Sequence, residues 1–178
     1  MHSPFKTFVV VCGALMSVGA VHATNVEITL KNDLDGILNG YCLDIAGGNQ
    51  NVDPANGLQA HTCYSYDGAL GTDQIFDTER FADNILYMPE YDVCAVLPDT
   101  EAGSKVSLAS CDGSVLQGFS FVENGTITPT TAPEMCLTAA TETRFGRGSQ
   151  HQIKDLTLET CSDDSADRQQ WRARETDD

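Results

Sequence analysis

Three pairs of cysteines run along this chain, and each pair is followed by a glutamine set two residues ahead of an aromatic. The units are Cys42, Cys63 and Gln74-Ile75-Phe76; Cys94, Cys111 and Gln117-Gly118-Phe119; and Cys136, Cys161 and Gln169-Gln170-Trp171. Cysteines at such spacings either bond to one another or ligate metal. Zinc ligation is disfavoured, because no two cysteines form a C-x-x-C pair and only His61 and His151 lie beyond the N-terminal segment. Of the seven cysteines, Cys12 lies in that segment, which leaves an even six. An even number in an exported chain reads as a disulfide framework. The repeat selects one bridge inside each unit: Cys42–Cys63, Cys94–Cys111 and Cys136–Cys161. No metal and no cofactor is expected.

Catalytic chemistry has little to work with. The chain carries no Gly-x-Ser-x-Gly, no His-Glu-x-x-His and no phosphate loop. Acidic residues are so frequent that a pairing of carboxylates for glycoside hydrolysis carries no signal. The expectation is a protein that is not an enzyme. Residues Asp33-Leu34-Asp35-Gly36 resemble part of a calcium loop, but Lys31 stands where the first ligand belongs and Cys42 where the closing glutamate belongs.

Residues 1–23 have the form of a secretory signal: Lys6 in a short basic start, an apolar run from Phe8 to about Ala20, and Val21-His22-Ala23 as a small-residue cleavage site. The expected location is therefore secreted, either extracellular or periplasmic. No later stretch approaches the roughly 20 apolar residues of a membrane-spanning helix. The segment 24–178 suits a single domain. It holds nine of the ten Lys and Arg and all 26 Asp and Glu, giving 9 − 26 = −17. A surface this acidic repels phosphate backbones and anionic membranes, so no nucleic-acid partner is expected.

The elements that position these residues are short strands. Val26-Glu27-Ile28-Thr29-Leu30 and Leu156-Thr157-Leu158-Glu159 alternate apolar and polar residues, the period of a strand buried on one face. Twelve such candidates are separated by turn punctuation such as Asp35-Gly36, Gly47-Gly48, Asn56-Gly57 and Asp112-Gly113. Three groups of four strands predict an all-β, threefold closed barrel, with repeats at about 24–81, 82–123 and 124–178. Alternation sends the glutamine and aromatic of each triplet to one face, so Phe76, Phe119 and Trp171 belong in a shared core while each glutamine bonds backbone of its own repeat.

With three Cys…Cys…Gln-x-aromatic units in phase, the chain resembles the ricin-B-type lectin domain, a β-trefoil, from about Val26 to Arg174. It departs from the family in having Phe for Trp in two triplets and in the uneven distance from the second cysteine to the glutamine. The resemblance implies a glycan partner, of galactose or xylose type. It also implies a sugar site built from an Asp two residues after the first cysteine, a polar group and aromatic platform before the second, and an Asn or Asp beside the triplet glutamine. A carboxylate there accepts hydroxyl protons, an amide both donates and accepts, and a ring packs on the apolar face of the pyranose.

In the first repeat, that pattern falls on Asp44 as main acceptor, Gln59 as supporting group, His61 as platform, and Asp73 with Gln74 as closing edge. Tyr64 and Tyr66 stand ready to extend it. The second repeat has Val96, Ser107 and Ala109 at these places and the third has Thr138, Thr157 and Glu159, so both read as scaffold. One site implies an affinity for a monosaccharide near millimolar, about 4 kcal/mol. Other roles remain open for the same residues: Asp44 also suits capping of the turn before Gly47-Gly48, and Gln59 and His61 suit ordinary strand surface. A non-catalytic interaction trefoil, such as a protease inhibitor or toxin-delivery subunit, is the rival function. Its contact would be a long exposed loop with a protein partner, and 140–150, with Arg144 and Arg147, fits that role.

Overall fold

The structure is a computed structural model. It describes residues 24–48, 52–121 and 125–175, with Tyr66 described in its backbone alone. The expected signal segment 1–23 and the Asn124 of the Asn124-Gly125-Thr126 glycosylation sequon lie outside the described residues.

The described residues form fourteen short strands and one four-residue α-helix, Ala166–Gln169. The first repeat contributes β1 (Asn25–Leu30), β2 (Tyr41–Ile45), β3 (Leu58–Thr62) and β4 (Phe76–Asp77). The second contributes β5 (Tyr87–Met88), β6 (Val93–Val96), β7 (Ser107–Ala109) and β8 (Phe119–Phe121). The third contributes β9 (Ile127–Pro129), β10 (Met135–Ala139), β13 (Leu156–Thr160) and β14 (Trp171–Arg174), and it inserts β11 (Arg144–Phe145) and β12 (Gln152–Lys154) between β10 and β13.

The chain ends meet: β1 pairs antiparallel with β14, Leu30 opposite Trp171 and Glu27 opposite Arg174. The disulfides join Cys42 to Cys63, Cys94 to Cys111 and Cys136 to Cys161, at Cα separations of 5.0, 5.1 and 5.0 Å. The loops they close span 21, 17 and 25 residues, for which closure entropy contributes on the order of 3 kcal/mol each.

Phe76, Phe119 and Trp171 are buried in one apolar cluster drawn from all three repeats. The three glutamines explain why the triplet recurs although its distance from the cysteines varies. Each side chain clamps the second cysteine of its repeat from both sides. Its carbonyl accepts from the backbone N–H one residue after that cysteine: Tyr64 at 2.9 Å, Asp112 at 3.0 Å and Ser162 at 2.9 Å. Its amide donates to the carbonyl one residue before it: Thr62 at 3.1 Å, Ser110 at 2.8 Å and Thr160 at 3.1 Å. Buried amides satisfied at both ends fix a backbone corner whatever loop precedes them.

Two expectations are modified. The loop at 140–150 is not wholly irregular, because β11 and β12 form a hairpin in it; β12 then pairs with β3, Ile153 opposite His61 and Lys154 opposite Ala60. This adds two strands to the first repeat's sheet, in the order β11-β12-β3-β2-β1-β14. Second, the polar positions of β1 are buried along with the apolar ones. Glu27 is enclosed by Arg174 and Ser65, and Thr29 donates to Tyr41 O at 3.1 Å.

Candidate functional site

Asp44 and Gln59 are directly opposed in the β2–β3 ladder, as are Cys42 and His61 one pleat further along. Opposed residues share a face, so Asp44, Gln59 and His61 lie on one side of the pair. The Gln59 amide donates to Asp44 Oδ1 at 2.8 Å, and the Gln74 amide, from the turn that carries the triplet, donates to Asp44 Oδ2 at 3.0 Å. The corresponding contact in the third repeat runs from Gln169 to Thr138 Oγ1 at 2.9 Å. Asp73 sits in the same turn, beside Gln74. The structure therefore brings together all five residues singled out in the first repeat.

It also buries them. Asp44 is 1% exposed and Asp73 8%. Burial pushes the Asp44 carboxyl well above the usual carboxylate range, the Asp73 charge adds to this, and the two amides oppose it. Burial raises Asp73 as well. Each Asp44 oxygen uses one acceptor position on an amide and keeps a second.

His61, itself 4% exposed, joins the cluster to an adjoining cleft. Its Nδ1 lies 2.9 Å from Thr62 O; with a proton there, Nε2 is left as an acceptor. The ring stands between Tyr64 and His151, at centroid distances of 5.1 and 5.5 Å. Burial lowers the His61 pKa, and the nearby His151 and Arg144 charges lower it further against the Thr62 bond. Gly71 matters for this stack, since a Cβ there would collide with the Tyr64 ring. Beside His61 lies a cleft of about 370 Å³, walled by His61 and Tyr64 on one side and by Arg147, His151 and Ile153 of the hairpin on the other, with the rest glycine. The Tyr66 side chain lies outside the described residues.

Reading the first repeat alone missed what the hairpin adds. Arg144 Nη2 donates to Gln59 Oε1 at 2.9 Å, and its Nε lies 3.5 Å from Asp155. Arg144 and Arg147 are conspicuous in an acidic sequence, yet no local pattern ties Arg144 to a strand more than 80 residues earlier. From the second repeat, Tyr91 stands close enough that, after burial, the Asp73 and Asp44 charges raise its phenol pKa.

Glu27 lies against Cys42 and Cys63, but those sulfurs are bonded to each other and offer no thiolate to a metal. Among the described residues no helix is long and apolar enough to cross a membrane.

A family model described as the ricin-type beta-trefoil lectin domain matches residues 31–171. Among solved structures, the agglutinin from Abrus precatorius superposes with a TM-score of 0.59 at 19% identity, over 85% of this chain and 48% of that one. The chain thus spans about half the agglutinin's length. The designed threefold-symmetric protein ThreeFoil gives a TM-score of 0.57 at 17% identity, over 85% of this chain and 98% of that one. The C-half of an earthworm R-type lectin, solved in complex with GalNAc, gives 0.52 at 15% identity, over 84% and 97%. At these identities the likeness establishes the fold, a β-trefoil. No curated protein matches the chain.

Proposed function

The chain belongs to the ricin-type β-trefoil lectin domain family, and from that premise we propose that it is a secreted, non-catalytic carbohydrate-binding protein whose working sugar site lies in the first repeat. The observation that carries this reading is the hydrogen-bonded cluster of Asp44, Gln59 and Gln74, with the Asp73 carboxyl near enough for its charge to act on Asp44, beside the His61 cleft. Asp44 is the acceptor for sugar hydroxyls, Gln59 and Asp73 flank it, Gln74 holds it in place, and His61 with Tyr64 supplies the ring surface. The second and third repeats, with Val96 and Thr138 in the Asp44 position, serve as scaffold. Galactose- or xylose-type sugars are the ligand class. Export fits residues 1–23 and three disulfides, since such bridges persist in oxidising compartments.

A second reading, contact with a protein partner through the hairpin, is favoured by Phe145, which is 61% exposed at its outer edge. A glycan array separates the two. The parent and Asp44→Asn are screened side by side after both show the same near-ultraviolet circular dichroism. Binding by the parent that disappears in the variant supports the lectin reading and identifies the sugar. If neither binds while both are folded, the lectin reading fails and the protein partner takes its place.

A further inference from the structure

The cleft beside His61 is electrostatically unlike the rest of the molecule. The chain carries 26 acidic residues against ten Lys and Arg, yet no acidic residue lines this cleft among the described residues, while His61, Arg147 and His151 do. Arg147 adds a second observation. Arg80, Arg144, Lys154 and Arg174 each sit within 4 Å of a carboxylate. Arg147 has no ion-pair or hydrogen-bond partner among the described residues, and its five N–H donors face the cleft or solvent. A guanidinium fork that lines the same cleft as His61 and Tyr64 matches an anionic group with two or three coplanar or clustered oxygens, borne on a body that packs against those rings.

We propose that this cleft selects an acidic saccharide, one whose sugar ring lies on His61 and Tyr64 and whose carboxylate or sulfate ester is bound by Arg147 with His151 beside it. The proposal rests on the reading that the first repeat binds sugar, and it adds the hairpin of the third repeat as the element that sets specificity. Neighbouring positions suit the two halves of such a ligand. His61 Nε2 accepts from a hydroxyl, Ile153 and Tyr64 offer apolar wall, and the glycines at 47, 48 and 146 let the ligand approach backbone. In a chain with a net charge of −17 beyond residue 23, the cleft also gives an acidic glycan a local target that the surrounding surface denies it.

The test is calorimetric titration of the mature chain with a neutral galactose-terminated oligosaccharide, the same core ended by a uronic or sialic acid, the same core sulfated, and sodium sulfate alone. Arg147→Gln is run in parallel. It is an exposed turn residue, so the variant is expected to fold. The acidic probes are expected to bind about tenfold tighter than the neutral one at low salt. That preference should vanish in Arg147→Gln, acidic binding falling to the level of the neutral probe, and should shrink as salt rises. The carboxylated and sulfated arms show which anion is preferred. Equal binding of neutral and acidic probes overturns the proposal and leaves the lectin reading intact. Sodium sulfate binding as tightly as the acidic sugars also overturns it, because the cleft would then be a simple anion site. Failure of every saccharide to bind overturns the lectin reading and this proposal together.

Discussion

Arg144 of the third repeat donates a hydrogen bond to Gln59 of the first across 85 residues of chain. Gln59 in turn donates to Asp44, so the candidate sugar acceptor is held at second hand by a residue from another repeat. Arg144→Ala removes this support and frees Gln59 to turn. Because Arg144 is 54% exposed, the stability loss should stay within about 1 kcal/mol. Glycan affinity should change by more than that loss implies, and calorimetry of the variant beside its thermal unfolding checks the two separately.

The glutamine clamp predicts a variant with the opposite profile. Gln117 is 2% exposed and satisfies the carbonyl of Ser110 and the N–H of Asp112 in the repeat that lacks a sugar pattern. Gln117→Ala strands both groups and should cost about 1–3 kcal/mol. Urea unfolding is expected to show this loss, while glycan binding by the remaining folded protein stays unchanged.

These contrasts show where sequence reading stops. The cysteine pairing and triplet were legible because each is local to one repeat and recurs three times. The first-repeat cluster was legible because Asp44, Gln59 and Gln74 are brought together by one hairpin and its following turn. The β11–β12 hairpin was not, since strands of two and three residues carry almost no periodic signal and its decisive partner is β3, far earlier in the chain. The burial of Asp44 and Lys154 escaped for the same reason. A polar residue is enclosed by distant elements, which its own neighbours in sequence do not disclose.

The hairpin's second anchor is the Lys154–Asp35 ion pair, whose carboxylate carries a pH dependence. Lys154, 2% exposed, lies 2.9 Å from Asp35, which also accepts from Tyr41 at 3.0 Å and Thr143 at 2.6 Å, and the ammonium sits 5.1 Å from the Tyr41 ring centroid. Partial burial works against the Asp35 carboxylate, but these bonds and the Lys154 charge together lower its pKa from 3.8 to about 2. A lowered folded pKa means stability that is fully present above 3.8 and is lost as pH falls through about 2. Asp35→Asn should therefore be less stable than the parent near neutrality, by about 1 kcal/mol given the exposure of Asp35, and the gap should close near pH 2. Urea unfolding of both proteins at the two pH values measures it, and a gap that persists in acid would remove the carboxylate from the account.

Asp44 titrates in the other sense. Its folded pKa is raised, chiefly by burial and then by Asp73, so its contribution to stability is present below the unfolded value of 3.8 and is lost as pH rises through the folded value. Asp44→Asn does not titrate at this position. As pH rises above the unfolded value of 3.8, the parent should lose stability relative to the variant, and parallel pH slopes in the two proteins would show that the carboxyl is not perturbed. Ligand binding is linked to the same proton. Sugar hydroxyls donate to Asp44 and favour its ionised form, so binding should release protons and tighten as pH rises through the folded pKa. Titration calorimetry in two buffers of different ionisation enthalpy reads this directly: the observed enthalpies should differ for the parent, while Arg147→Gln, which leaves Asp44 in place, should release protons to the same extent.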